Sequence, residues 1–192
     1  ALIIAEAGVN HNGSLDCARQ LIDAAAEAGA DVVKFQTFRT ELLITRLAKK
    51  ADYQIQNTDI DESQFDMLKK LELSRADHFK LKECAAEKHI EFLSTPFDET
   101  SAEFLAREIG IERFKIPSGE ITNLPFLEFI SRFGLPVILS TGMSDLDEIQ
   151  KAVNTLTQKL GLHQITLLHC TTSYPCAFAD VHLRAMQTIH NA

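Results

Sequence analysis

Six short runs of β-branched or aliphatic residues each end, or in one case nearly end, on a polar or ionisable side chain. They are Ile3-Ile4-Ala5-Glu6, Val32-Val33-Lys34, Phe92-Leu93-Ser94-Thr95, Phe114-Lys115-Ile116, Val137-Ile138-Leu139-Ser140 and Leu167-Leu168-His169. Runs of this length predict buried strands, and the segments between most of them carry apolar residues at helical spacing. Ser14 reads as an N-cap, Leu15, Ala18, Leu21, Ile22, Ala25 and Ala28 share one face, and Gly29 stops the helix. The strand Asp31 to Gln36 follows, and then a long polar stretch from Thr37 to Glu62, the size of a functional loop.

Further helices are predicted at Ser63 to Leu71, Ser74 to Lys88 (with Ser74 and Asp77 as a capping pair), Thr100 to Ile109, Leu124 to Phe133, from the Asp145/Glu148 box to Leu160, and from about Asp180. The intervening strands are Ile90 to Ser94, Arg113 to Ile116, the run closing on Ser140, and Ile165 to His169. Alternation of this kind means parallel strands joined by right-handed crossovers, an α/β fold. Two architectures satisfy it: a (β/α)8 barrel, incomplete here with about six βα units, or a doubly wound sheet of six strands. The polar strand ends favour the barrel, because all strand C-termini of a barrel open onto one face, whereas an open sheet concentrates its site at one switch point. On this reading residues 1–192 are one barrel domain without an interdomain linker, and polar side chains from Glu6 to Tyr174 converge on one anion-holding pocket.

The chain is 45% hydrophobic and 24% charged, ordinary for a soluble domain. A net charge of -8 argues against nucleic acid as a partner while leaving room for a small anion held by a local lysine cluster. No apolar stretch is long enough for a bilayer, and Ala1 to Glu6 lacks the features of a signal peptide, so no membrane partner and a cytoplasmic location are expected. Cys17 and Cys84 read as buried thiols on helices; Cys170 and Cys176 do not make a metal-type pair.

Lys34 and Lys115 at strand ends, with hydroxyls from Thr95, Ser118, Ser140 and Thr141, suit a phosphate or carboxylate cradle. Glu6 closes a purely apolar run, where a carboxylate either orients water or substrate or pairs with Lys34. Glu120 follows Ser118-Gly119 and suits a polyol or amide. His11, in the Val9-Asn10-His11-Asn12-Gly13 turn, and His169 are the candidates for metal binding or proton transfer, with His169 read rather as a satisfied interior histidine. His78, His89, His163, His182 and His190 read as surface residues.

As strings, Ile3 to Gly13, Val33-Lys34-Phe35-Gln36-Thr37-Phe38, Leu93-Ser94-Thr95-Pro96-Phe97-Asp98, Lys115-Ile116-Pro117-Ser118-Gly119-Glu120, Leu139-Ser140-Thr141-Gly142-Met143 and Leu168-His169-Cys170-Thr171-Thr172-Ser173-Tyr174-Pro175 resemble the N-acetylneuraminate (sialic acid) synthase family, in its bacterial branch with the legionaminate and pseudaminate synthases. The resemblance implies condensation of phosphoenolpyruvate with an N-acylated hexose, N-acetylmannosamine or a diamino-dideoxy analogue, plus water, to give a nonulosonic acid and phosphate. It implies that Glu6, Lys34 and Lys115 are catalytic, that Lys34, Thr95, Lys115, Ser118 and Ser140 contact phosphoenolpyruvate, and that Asn57, Glu120 and Tyr174 contact the sugar. Thr172 stands where the family often has Asn, which alters one phosphate contact.

The resemblance also implies a divalent metal, Mn²⁺ or Mg²⁺, in the full-length protein, acting as Lewis acid on the sugar aldehyde. Its family ligands lie beyond residue 192, as do the last βα units and a small antifreeze-like domain that reaches the partner's site in a homodimer. On this expectation the 192 residues alone are inactive and, with sheet edges uncovered, poorly soluble or associated. The alternative is a catalytically silent barrel that binds an anion or a partner. A synthase acting on a phosphorylated sugar fits less well, because no second basic cluster is evident.

Overall fold

The computed structural model describes residues 1–48 and 63–192. They form two compact units, Ala1–Ile109 and Gly110–Ala192. In the first, strands β1 (Ile4–Gly8), β2 (Val32–Thr37) and β3 (Glu91–Pro96) make a parallel sheet in that order. Parallel neighbours need a crossover. Helix α1 (Leu15–Glu27) supplies the first, and α2 (Thr40–Leu43), α3 (Gln64–Leu71) and α4 (Arg75–Glu87) lie along the second. As the sequence predicts, Ser14 caps α1 by accepting the Cys17 N–H at 3.3 Å, and Ala18, Ile22 and Ala25 form its buried stripe. Lys69 bridges Glu41 at 2.9 Å and Glu72 at 2.8 Å, which ties α2 to the end of α3.

Helix α5 (Glu99–Phe104) departs from the expected uninterrupted α-helix. Asp98 caps it, accepting the Ser101 N–H at 2.7 Å, but Leu105–Ile109 widens into a π-helical stretch. The Lys82 ammonium donates to the Ile109 carbonyl, one of the groups a helix end leaves without an intrahelical partner.

His78 corrects the expectation of a surface histidine: it is 1% exposed. Helix α4 turns it inward, edge-on to Phe92 and Phe104 at 6.5 and 5.3 Å between centroids. Its Nδ1 donates to the Ser74 carbonyl at 2.8 Å, so in the neutral ring Nε2 accepts from the Thr37 hydroxyl at 2.7 Å. Thr37 in turn lies 2.6 Å from Ser94 Oγ. A periodicity argument misses this because the ring buries its polar atoms only by meeting two partners, Thr37 distant in sequence and Ser74 one turn away.

In the second unit β4 (Phe114–Ile116), β5 (Val137–Ser140) and β6 (Ile165–Leu168) form a parallel sheet in that order. Helix α6 (Leu124–Ser131) crosses from β4 to β5, and α7 (Leu146–Thr157) from β5 to β6. The predicted capping box on α7 is present in both directions: Glu148 N–H donates to Asp145 at 2.8 Å, and Asp145 N–H to Glu148 at 3.0 Å. Helices α6 and α7 end two and three residues earlier than predicted. The last helix, α8 (Ala185–Asn191), starts later than Asp180 because a 3-10 turn at Phe178–Asp180 is followed by His182 at φ 46°, which an α-helix does not admit. Among the described residues no helix is long and apolar enough to cross a membrane.

Burial holds the His78 imidazole below its ordinary value of 6.5, and burial followed by the charge of His78 does the same for His11. The unfolded chain therefore takes up these protons more readily than the folded one, so stability is full above about pH 6.5 and declines as the pH falls towards the lower folded values. The melting temperature is expected to drop between pH 7 and pH 5, and His78→Gln to flatten that drop. A wild-type melting temperature constant across the interval contradicts this.

Candidate active site

Side chains of a strand alternate between faces, and β2 uses the alternation to separate two environments. Thr37, on the same face as Phe35 and Val33, meets His78 of α4, so this face looks onto the helices. Lys34 and Gln36 take the other face, in a sheet whose register sets Glu6 beside Lys34 and Thr95 beside Gln36.

Lys34 is 7% exposed, and its ammonium is ion-paired with the Glu6 carboxylate and donates to Thr95 Oγ1 at 3.4 Å. The register shifts between Glu6 and Gly8, where Gly8 has φ 54° and a Cβ would sit 3.1 Å from Glu6 Oε1. A bulge there re-aims the strand end and leaves the half-exposed Glu6 side chain room beside Lys34. Of the two readings of Glu6, the pairing with Lys34 is present, and the side chain remains half-open to solvent.

In the turn after β1, His11 is fully buried, and its Nδ1 accepts the Gly13 N–H at 3.0 Å. Gly13 is required where it stands: φ is 77°, and a Cβ would run into the Lys70 carbonyl oxygen. This wedges the turn under α3 and makes His11 a packed element of it.

The second unit builds its own cluster at the ends of β4 and β5. Lys115, 7% exposed, donates to Ser140 Oγ at 2.7 Å and to the Ile116 carbonyl at 2.9 Å. Past β5, both the N–H and the hydroxyl of Thr141 donate to the Leu168 carbonyl at 3.0 Å, which hooks the loop onto β6. Gly142 then approaches two hydroxyls: at φ 46°, a Cβ would collide with the Ser118 side chain and lie 2.7 Å from Thr172 Oγ1. Ser118 sits in the 3-10 turn Ser118–Glu120, and Glu120 accepts from Asn123 at 2.7 Å. Tyr174 is 81% exposed. His169, half-buried, donates through Nε2 to the Val181 carbonyl at 2.7 Å, the satisfied histidine that was expected.

Each unit thus brings together part of the expected set: Glu6, Lys34 and Thr95 in one, Lys115, Ser118 and Ser140 in the other. Asn57 lies outside the described residues. Cys17 and Cys84 are half-buried rather than buried. Sequence reasoning passed over Cys170, whose Sγ lies 3.3 Å from Ser140 Oγ. The available signal is position: Cys170 follows the last residue of β6 by two, although neither helical neighbours nor metal-type spacing marks it. Among the described residues no three His, Cys, Asp or Glu side chains come together to hold a metal ion. The two clusters offer, among the described residues, ammonium groups, hydroxyls and the Glu6 carboxylate.

The NeuB family model matches residues 21–192, and the chain belongs to the NeuB family. It is 53% identical over 192 residues to the N,N'-diacetyllegionaminic acid synthase of Campylobacter jejuni, covering all of this chain and 57% of that protein. Identity to the enzyme of the same name from Legionella pneumophila is 50% over 190 residues, covering 97% of this chain and 53% of that one. The chain thus spans about half the length of these relatives. The crystal structure of N-acetylneuraminic acid (sialic acid) synthetase from Leptospira borgpetersenii in complex with citrate matches with a TM-score of 0.83 and 36% identity, over 99% of this chain and 61% of that one. The fold class is that of the (β/α)8 barrel, incomplete here: the described residues supply six βα units.

Gly142→Ala tests the cradle. The substitution forces a left-handed backbone and a clash with Ser118, so a loss of about 1–3 kcal/mol is expected in urea unfolding. Unchanged stability means that Ser118 and Thr172 do not close on this glycine.

Proposed function

We propose that the full-length protein condenses phosphoenolpyruvate with an N-acylated hexose, N-acetylmannosamine or a diamino-dideoxy analogue, and water, releasing phosphate and a nonulosonic acid. The reading is that of an N-acetylneuraminate synthase-type transferase of carbohydrate biosynthesis. The observation that carries it is the buried Lys115 ammonium donating to Ser140 at a strand end, in a chain of the NeuB family.

In this reading Lys34, Thr95, Lys115, Ser118 and Ser140 contact phosphoenolpyruvate. Ammonium groups sunk below the surface act at low dielectric, where attraction to a phosphate or carboxylate is least screened. Carbon 3 of phosphoenolpyruvate bonds to the sugar aldehyde carbon, and water adds at carbon 2. The aldehyde oxygen becomes a hydroxyl by taking up, in net, the proton that this water gives up, and the resulting C2–O–P unit collapses to the keto acid and phosphate. Glu6, held by Lys34, orients that water and accepts its proton. Glu120, Tyr174 and Asn57 contact the sugar. A divalent ion, Mn²⁺ or Mg²⁺, belongs to the proposal for the full-length homodimer, with ligands outside the described residues.

The test is phosphate release by the full-length protein with Mn²⁺, phosphoenolpyruvate and each N-acyl hexose. Release is expected with at least one sugar; binding of phosphoenolpyruvate without turnover on any of them supports the silent barrel instead. Glu6→Gln is expected to lower kcat by roughly a hundredfold or more. An undiminished kcat removes Glu6 from the chemistry.

A further inference from the structure

Cys170 touches the Lys115 cluster yet has no part in the reaction proposed above. Its Sγ is 3.3 Å from Ser140 Oγ and 3.5 Å from the Leu168 carbonyl oxygen, so the serine is the nearer acceptor. The same Ser140 oxygen lies 2.7 Å from the Lys115 ammonium. A hydroxyl has two lone pairs and one proton, and an ammonium only donates. Lys115 therefore takes one lone pair of Ser140, and the thiol, 3.3 Å away, is placed to give its proton to the other. With both acceptor positions filled, the only thing Ser140 has left to offer is its own proton. An anion oxygen needs such a committed donor, whereas a serine with a spare lone pair serves as donor or acceptor and rotates between the two.

The surroundings agree. Cys170 lines a cavity of about 790 Å³ together with Thr141, Gly142 and Thr172. Gly142, on which the Ser118 and Thr172 hydroxyls close, lines the same cavity, so the thiol that reaches Ser140 also borders open space beside Thr141 and Thr172. We propose that Cys170 is a positioning residue of the phosphoenolpyruvate site: by donating into Ser140 it fixes that hydroxyl as a donor to the bound anion. This rests on the functional reading above, and it adds a residue which that reading does not contain.

The full-length protein provides the test. Cys170→Ala frees a lone pair on Ser140 and is expected to raise KM for phosphoenolpyruvate roughly three- to tenfold, the worth of one ordinary hydrogen bond, with kcat within about twofold. Cys170→Ser keeps a donor at the same place and is expected to restore KM. A purely structural thiol predicts neither the confinement to KM nor the rescue. An unchanged KM in Cys170→Ala, or a Cys170→Ser variant as impaired as the alanine, overturns the inference.

Alkylation of the wild-type thiol by iodoacetamide, read by mass spectrometry, needs no variant to fold. Saturating phosphoenolpyruvate is expected to slow it at Cys170 and not at Cys17, and an unchanged rate at Cys170 overturns the inference. Wild-type protein that neither binds phosphoenolpyruvate nor releases phosphate removes the functional reading and this inference with it. Wild-type protein that binds it no better than Cys170→Ala removes this inference alone.

Discussion

An ammonium group withdrawn from water has to be met by acceptors, and in both units the strands supply them, although Lys34 stands in the middle of β2 and not at its end as the sequence suggests. Lys34 and Lys115 are each 7% exposed, and each reaches an oxygen that its own strand cannot supply: Glu6 and Thr95 for the first, Ser140 for the second. Burying such a charge unsolvated costs several kcal/mol, so these partners are conditions of the fold and not decoration. In the proposed function the same partners would hold the charges in place before an anion arrives, as in a preorganised site.

Strand alternation keeps this arrangement separate from the hydrophobic core. One residue along β2 from Lys34 is Phe35, fully buried; two further on is Thr37, bonded to His78. The helix-facing side thus carries a polar network of its own, which ends at Ser94, next in sequence to Thr95. Helix α4 and the Lys34 cluster are in this way linked through adjacent residues of one strand. At the other cluster the glycine at 142 does similar work by a different route, because its missing side chain is what lets the hydroxyls of Ser118 and Thr172 approach.

The fold was legible because it rests on periodicity and capping: all six strands, the Ser14 and Ser74 caps and the Asp145 box lie where apolar runs and short-range pairs put them. Lys34, Thr95, Lys115 and Ser140 were legible for a related reason, since a polar residue closing or interrupting an apolar run stands out. What escaped depends on contacts between residues distant in sequence. His78 reads as a helix-surface residue until Thr37 is brought to it across 41 positions, and Cys170 reads as an idle thiol until β6 sets it beside Ser140 across 30. The π-helical widening at Leu105–Ile109 leaves no mark in a pattern of apolar spacing.

The central claim is that the two buried ammonium groups exist to hold an anion. Calorimetric titration of phosphoenolpyruvate into the full-length protein and into its Lys34→Met and Lys115→Met variants tests it most directly, because methionine keeps the apolar stem while removing the charge. The account predicts measurable binding by the wild type and affinity at least roughly tenfold weaker in each variant with the fold intact. Variants that bind phosphoenolpyruvate as tightly as the wild type would contradict it.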